Sequence, residues 1–118
     1  PGGMPGADHL KKDPRITEIV QRLHGKGRPV AAICAAPMVL ASAGILDGRR
    51  ATSYPGFLAE AAKTTVVGDA VVVDRGVITS RGPGTALDFA LALVEILGGP
   101  DVRRSIESRL EREKAGTA

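Results

Sequence analysis

A layered α/β fold is predicted by three observations in this 118-residue sequence. Short apolar or β-branched runs alternate with segments of helical periodicity. One run, Pro29 to Ile33, leads directly into the only cysteine, Cys34, and then into a small-residue helical pattern. A hairpin signal around Asp74-Arg75-Gly76 precedes the most apolar helix of the chain. The length suits one domain, residues 1–118.

Taken in order, Pro1-Gly2-Gly3-Met4-Pro5-Gly6 is a glycine–proline loop whose backbone can approach another group closely, or else a loosely held terminus. Asp13-Pro14 starts a helix, with Asp as cap and Pro in the first helical position. Ile16, Ile19, Val20 and Leu23 give it one apolar face, and Gly25 and Gly27 end it. Pro29 to Ile33 is apolar at consecutive positions, which predicts a strand covered on both faces in a parallel sheet. Ala35 to Ala43 is the next helix, with Pro37 in its first turn and Gly44 as its stop.

Ile45 to Arg50 reads as a polar connection, Ala51 to Ser53 as a short strand, Tyr54-Pro55-Gly56-Phe57 as a turn and Leu58 to Lys63 as a brief helical segment. Thr65–Val67, Ala70–Val73 and Val77–Ser80 are β-branched runs, the last two forming the hairpin. Arg81-Gly82-Pro83-Gly84 is a tight loop, and Thr85 with Asp88 resembles a capping box. The helix Ala86 to Leu97 is apolar nearly all round, which predicts burial. Gly98-Gly99-Pro100 stops it. Val102, Ile106 and Leu110 then line one face of a charged helix running to Lys114, and Ala115 to Ala118 should fray.

The composition, 43% hydrophobic and 25% charged, is that of a globular chain, and three aromatic side chains force an aliphatic core. No apolar run reaches the roughly 18 residues of a membrane span, and no signal-peptide pattern opens the chain. The net charge of +3 is scattered among acids, without a basic stripe or interleaved aromatics, which argues against nucleic-acid binding. A single cysteine makes no internal disulfide, as suits a reducing, cytoplasmic setting. No cluster of His, Cys, Asp and Glu has metal-site spacing, so neither metal nor cofactor is expected. His9 and His24 read as surface residues, His24 at a helix end where a cation is mildly favoured.

In open α/β sheets, ligands bind beyond the carboxyl ends of the strands. Three loops qualify: Gly2-Gly3, Cys34-Ala35 and Ser80 to Gly84. Should they converge, the N–H groups of Gly3 and Ala35 would surround an oxyanion beside Cys34, and the helix N-terminus would favour its thiolate. The competing reading makes Cys34 a small buried hydrophobe. Gly82-Pro83-Gly84 either cradles an anion or only tightens the turn, and Arg81 either binds a substrate carboxylate or carbonyl or pairs across a dimer interface.

Ala31-Ala32-Ile33-Cys34-Ala35-Ala36-Pro37, Pro1-Gly2-Gly3, Tyr54-Pro55-Gly56-Phe57 and Thr79-Ser80-Arg81-Gly82-Pro83-Gly84-Thr85 together resemble the ThiJ/PfpI superfamily, closest to its parkinsonism-associated deglycase branch. The resemblance implies a flavodoxin-like three-layer sandwich, usually homodimeric, with a nucleophile elbow. It makes Cys34 the reactive thiol, Gly3 and Ala35 the oxyanion hole, and Gly2, Tyr54, Pro55, Arg81, Gly82 and Pro83 the pocket. The implied activity is glyoxalase or deglycase chemistry on a small reactive carbonyl or glycated substrate. Alternatives are redox sensing or chaperoning through Cys34 oxidation, and a peptidase- or amidotransferase-like hydrolysis that would require a histidine.

Two departures stand out. Many relatives carry His where this chain has Tyr54, and a tyrosine of ordinary pKa, about 10, is a poor general base at neutral pH. Tyr54 then closes the pocket, donates a hydrogen bond, or simply packs. The family's glutamate, from a loop upstream of Pro-Gly-Gly, has no counterpart, and Glu18 does not match it. The expectation is therefore the C-terminal portion of one domain with the N-terminal strands missing, its proton transfers falling to that glutamate or to water.

Overall fold

The computed structural model describes residues 1–112. Its elements run α1 (Gly6–Lys12), α2 (Pro14–Gly25), β1 (Val30–Ile33), α3 (Pro37–Ser42), β2 (Arg50–Ala51), β3 (Thr65–Val66), β4 (Val71–Asp74), β5 (Val77–Ser80), α4 (Ala86–Gly98) and α5 (Pro100–Glu107). A single 3-10 turn, Pro83–Thr85, leads into α4.

β5 is the centre of a three-stranded sheet ordered β1-β5-β4. It pairs in parallel with β1, Val30 opposite Val77 and Ile33 opposite Ser80, and antiparallel with β4. β2 and β3 form a separate parallel pair. The β4–β5 link is shorter than the expected three residues, because Asp74 belongs to the strand and pairs with Val77. That leaves Arg75 and Gly76, at φ 49° and 82°, the two left-handed positions of a primed turn that matches strand twist.

The core is aliphatic, as the composition requires. Val30 and Ala32 of β1, Ala36, Leu40 and Ala43 around α3, Leu58 and Val77 form one buried cluster, with Val20 of α2 packed against it. Ile45 and Leu46 belong to it as well, so the segment read as a polar connection is anchored by two buried side chains. Leu58 to Lys63 closes through successive hydrogen-bonded turns and forms no helix. α1 is an element the sequence pattern did not predict; it buries only Ala7.

Two burial expectations are corrected. β1 is covered on one face only: Val30 and Ala32 are buried, whereas Ala31 is exposed and Ile33 half-buried. As an edge strand it packs on α2 and α3, with no layer of described residues over its other face. α4 likewise buries Leu91 and Ala92 but leaves Leu97 78% exposed, because it meets β4, β5 and α5 along one side. α5 ends at Glu107, short of the periodicity that runs to Lys114; the expected fraying of Ala115 to Ala118 lies outside the described residues.

The start of α2 follows its sequence closely. Pro14 occupies the first helical position, and the Asp13 carboxylate accepts the Arg15 N–H at 2.9 Å. The Arg15 side chain also bonds Asp13, and these contacts hold its carboxyl down at about 2, below the ordinary 3.8. A carboxyl whose folded pKa is depressed stabilises the fold fully above its unfolded pKa and loses that contribution as pH falls through the folded value. We expect the amide resonances of the first turn of α2 to shift, and the turn to loosen, as pH falls from 4 to 2. Asp13→Ala should abolish this titration and reduce the helical circular-dichroism signal at neutral pH.

Candidate functional site

The carboxyl end of β5 holds four chain segments in place. The Ser80 carbonyl accepts the Cys34 N–H at 2.9 Å, extending the β1–β5 ladder by one bond before the chain turns. The Ser80 hydroxyl donates to the Ala70 carbonyl at 2.7 Å. Having spent its one proton there, it accepts from Thr85 Oγ1 at 2.6 Å, and Thr85 in turn accepts the Gly82 N–H at 3.2 Å. One residue earlier, Thr79 Oγ1 accepts the Thr52 N–H at 3.0 Å. Ser80, Thr79 and Thr52 are all buried, so each lost bond would strand a polar group away from water.

This network corrects the capping-box expectation. Thr85 makes no side-chain cap to α4; its hydroxyl turns back to Ser80 and Gly82, while Asp88 pairs with Arg112 at 2.8 Å. Thr79, Ser80 and Thr85 stand in the motif and loop singled out from the sequence, but their role as buried anchors of the site was missed there. The signal was present: two consecutive hydroxyl residues at the end of a strand expected to be central must find buried partners.

Cys34 sits at the apex of the turn between β1 and α3 with φ 65°, a left-handed conformation uncommon for a residue with a Cβ. It is pinned from both sides, by Ser80 through its N–H and by the Tyr54 N–H, which donates to its carbonyl at 2.8 Å. Its thiol is free and half-buried. α3 begins three residues later at Pro37.

The glycine loop packs directly on this turn. A Cβ at Gly2 would lie 2.7 Å from Cys34 Cβ, 2.8 Å from the Ile33 carbonyl oxygen and 3.5 Å from the Ala35 nitrogen. Only glycine fits against that backbone. Gly3, at φ 89°, turns the chain into α1, its carbonyl accepting the Ala7 N–H at 2.8 Å. Ala35 is buried, and among the described residues neither its N–H nor that of Gly3 has an acceptor.

The other expected pocket residues divide. Tyr54 is half-exposed, stacks edge-on against Phe57 at 6.2 Å and lies over Gly82, whose Cβ would meet its ring at 3.5 Å. Pro55 and Arg81 line a neighbouring cavity with Ser53 and Leu58, while Pro83 is exposed in the 3-10 turn. Thus Gly2, Gly3, Cys34, Ala35, Tyr54 and Gly82 gather at one place, and Arg81 and Pro55 adjoin it. His24 lies in the last turn of α2, 3.4 Å from an Arg49 guanidinium nitrogen, and His9 is exposed on α1. Neither histidine is bonded to the cysteine turn. Among the described residues no group of His, Cys, Asp and Glu could hold a metal ion, and no helix is long and apolar enough to cross a membrane.

With this geometry in place, comparison with known proteins identifies the family. Residues 1–96 match the DJ-1/PfpI family, and the chain belongs to it. It is 38% identical over 117 residues to the Parkinson disease protein 7 homolog of Danio rerio, covering 93% of this chain and 60% of that protein. It is 37% identical over 99 residues to a deglycase of Pyrococcus abyssi, covering 82% of this chain and 59% of that protein. The crystal structure of Drosophila melanogaster DJ-1beta superposes with a TM-score of 0.88 at 36% identity, covering 97% of this chain and 62% of that one. The expected flavodoxin-like α/β architecture is thereby established, with a partial sheet. The chain spans 24% to 60% of the length of the curated relatives it matches.

Two substitutions test the construction of the site. Gly2→Ala should push the first three residues off the cysteine turn, which is measurable as faster alkylation of Cys34 by iodoacetamide at an unchanged melting temperature. Thr85→Val removes the acceptor of the Gly82 N–H and the partner of Ser80; urea unfolding should show a loss of about 1–3 kcal/mol.

Proposed function

We propose that this member of the DJ-1/PfpI family is a cysteine-dependent enzyme of the glyoxalase or deglycase kind, acting on small reactive carbonyls or glycated groups. The observation that carries the reading is the pairing of Cys34, held at φ 65°, with the adjacent unpartnered N–H of buried Ala35. The deglycase of Pyrococcus abyssi among its relatives supports the same chemistry.

In this reading deprotonated Cys34 attacks the aldehyde carbon, forming a C–S bond while the carbonyl π pair moves onto oxygen. The N–H groups of Ala35 and Gly3 donate to that oxyanion, stabilising charge where it develops. Water supplies the proton that neutralises it, giving a hemithioacetal. The left-handed turn places Cys34 at its apex, and the bonds to Ser80 and Tyr54 fix its position before substrate arrives. Hydrolysis of a peptide or amide would need a histidine at the thiol, and His24 is engaged with Arg49 instead. A homodimer and a cytoplasmic location belong to the same proposal, the first supported by the exposed Leu97 and the half-open apolar face of α5.

The test is direct. Incubation with methylglyoxal should add one methylglyoxal to Cys34, seen by intact-mass and peptide mass spectrometry, together with enzymatic loss of the aldehyde. Cys34→Ala should abolish both. An unchanged rate of methylglyoxal loss in Cys34→Ala would overturn the proposal.

A further inference from the structure

Among the described residues, the one buried side-chain nitrogen without a partner is Arg49 Nε. Arg49 is half-buried in the turn just before β2, whereas Cys34 follows the end of β1. Its other donors meet neutral groups. Nη1 donates to the Ile45 carbonyl at 3.1 Å, and Nη2 lies 3.4 Å from Nε2 of His24, itself half-buried in the last turn of α2. No carboxylate of the described residues stands within ion-pair distance of either side chain. A partly buried cation is ordinarily met by an acid; here an imidazole takes that place.

The surrounding charges do not replace it. On α2, Arg15 is bonded to Asp13 and Glu18 to Arg22, and Lys26 and Arg28 follow the helix end. α1 brings Asp8, paired with Lys12, together with His9 and Lys11, while α3 and β1 carry no charged side chain. In the segment of Arg49, Asp47 is exposed and Arg50 faces Asp69 at 3.9 Å. The Asp74 carboxyl is lowered first by the Arg50 N–H, then by Arg75 and least by Arg49, and it is already bonded to the first two at 2.9 and 3.0 Å.

We propose that His24 and Arg49 form a pH-sensitive latch between the end of α2 and the turn leading into β2, closed while His24 is neutral and opened when it is protonated. A guanidinium only donates, so the closed contact requires the Nε2 lone pair of the imidazole. A proton from water takes that lone pair and sets two cations 3.4 Å apart. Arg49 then swings out to solvent, where its Nε also finds a partner. The closed form holds no proton on His24 and the open form holds one, so falling pH favours opening, within the pH 5–8 range in which histidines titrate. The Arg49 carbonyl accepts the Thr65 N–H at 2.9 Å, so release of Arg49 loosens the start of the β2–β3 pair. Gln21 still donates to the Ala43 carbonyl at 2.9 Å and keeps α2 in place.

Nitrogen–proton NMR of the chain from pH 8 to 5 tests the inference at Arg49 Nε–H and at the amides of Thr65 and Gly27, the latter bonded to the His24 carbonyl at 3.0 Å. One shared titration is expected. Uptake of one proton changes the open-to-closed ratio by up to tenfold per pH unit, so hydrogen exchange of Thr65, corrected for its intrinsic pH dependence, should rise about tenfold. His24→Gln keeps a neutral acceptor that cannot charge, and its signals should hold their pH 8 positions throughout. His24→Lys sets a fixed cation opposite Arg49 and should show the low-pH positions already at pH 8. In Arg49→Gln the repelling cation is gone, and Thr65 exchange should lose its corrected pH dependence. Cys34→Ala should titrate as the parent does, which separates the latch from the proposed activity. A parent without titration at Arg49 Nε–H and Thr65, or an equal titration in His24→Gln, where His9 is the remaining histidine, would sink the inference.

Discussion

The last two residues of β5 are the constraint from which the rest of the site follows. Thr79 and Ser80 lie in the only strand with neighbours on both sides of the described sheet, and both are fully buried. A buried hydroxyl must be bonded, and these two meet that requirement by reaching four separate segments: Thr52, Ala70, Thr85 with Gly82, and, through the Ser80 carbonyl, Cys34. Satisfying the strand end and positioning the loops are therefore one event. A loop that moved away would leave a buried polar group unpaired, at a penalty of about 1–3 kcal/mol per group.

That anchoring is what permits a strained turn at Cys34. A positive φ at a residue with a Cβ persists only when its surroundings over-determine it. Here the N–H and the carbonyl of the same residue are both bonded to other segments, and the Gly2 backbone closes the third side at a distance no other residue type would allow. The turn sets the half-buried Cys34 beside the Ala35 amide, which has no acceptor among the described residues. Catalytic groups are commonly held in this way, since preorganised donors need no rearrangement when charge develops.

Features governed by local rules were legible in the sequence. Asp13-Pro14 capped α2, Gly76 closed the hairpin, Gly99 with Pro100 separated α4 from α5, and Cys34 stood at the turn its neighbours implied. Features governed by what packs against a surface were less so. The even apolarity of Val30–Ile33 and of α4 records surfaces able to be buried, while actual burial depends on elements opposite them, and among the described residues those faces are half-open. α1 is not legible in the sequence because a seven-residue helix that begins at Gly6, with one buried alanine, has neither a side-chain cap nor a periodic face to announce it. Thr85 misled for a related reason: spacing alone suggested a bond to the helix it precedes, whereas the unsatisfied Ser80 behind it was the stronger partner.

The same geometry explains why Tyr54 can stand where the sequence resemblance leads one to expect histidine without disturbing the turn. Its contact with Cys34 is made by the backbone N–H at 2.8 Å, which any residue except proline supplies. Its ring is directed elsewhere, edge-on to Phe57 and over Gly82. Position 54 therefore separates two tasks. The main chain fixes the nucleophile and is indifferent to the side chain, while the side chain shapes the rim and is free to vary. A histidine there would add a titrating group to the rim; a tyrosine adds apolar cover and one hydroxyl. Because Cys34 is held by the backbones of residue 54 and of Ser80, the proposed nucleophile keeps its geometry when its neighbour on the rim changes.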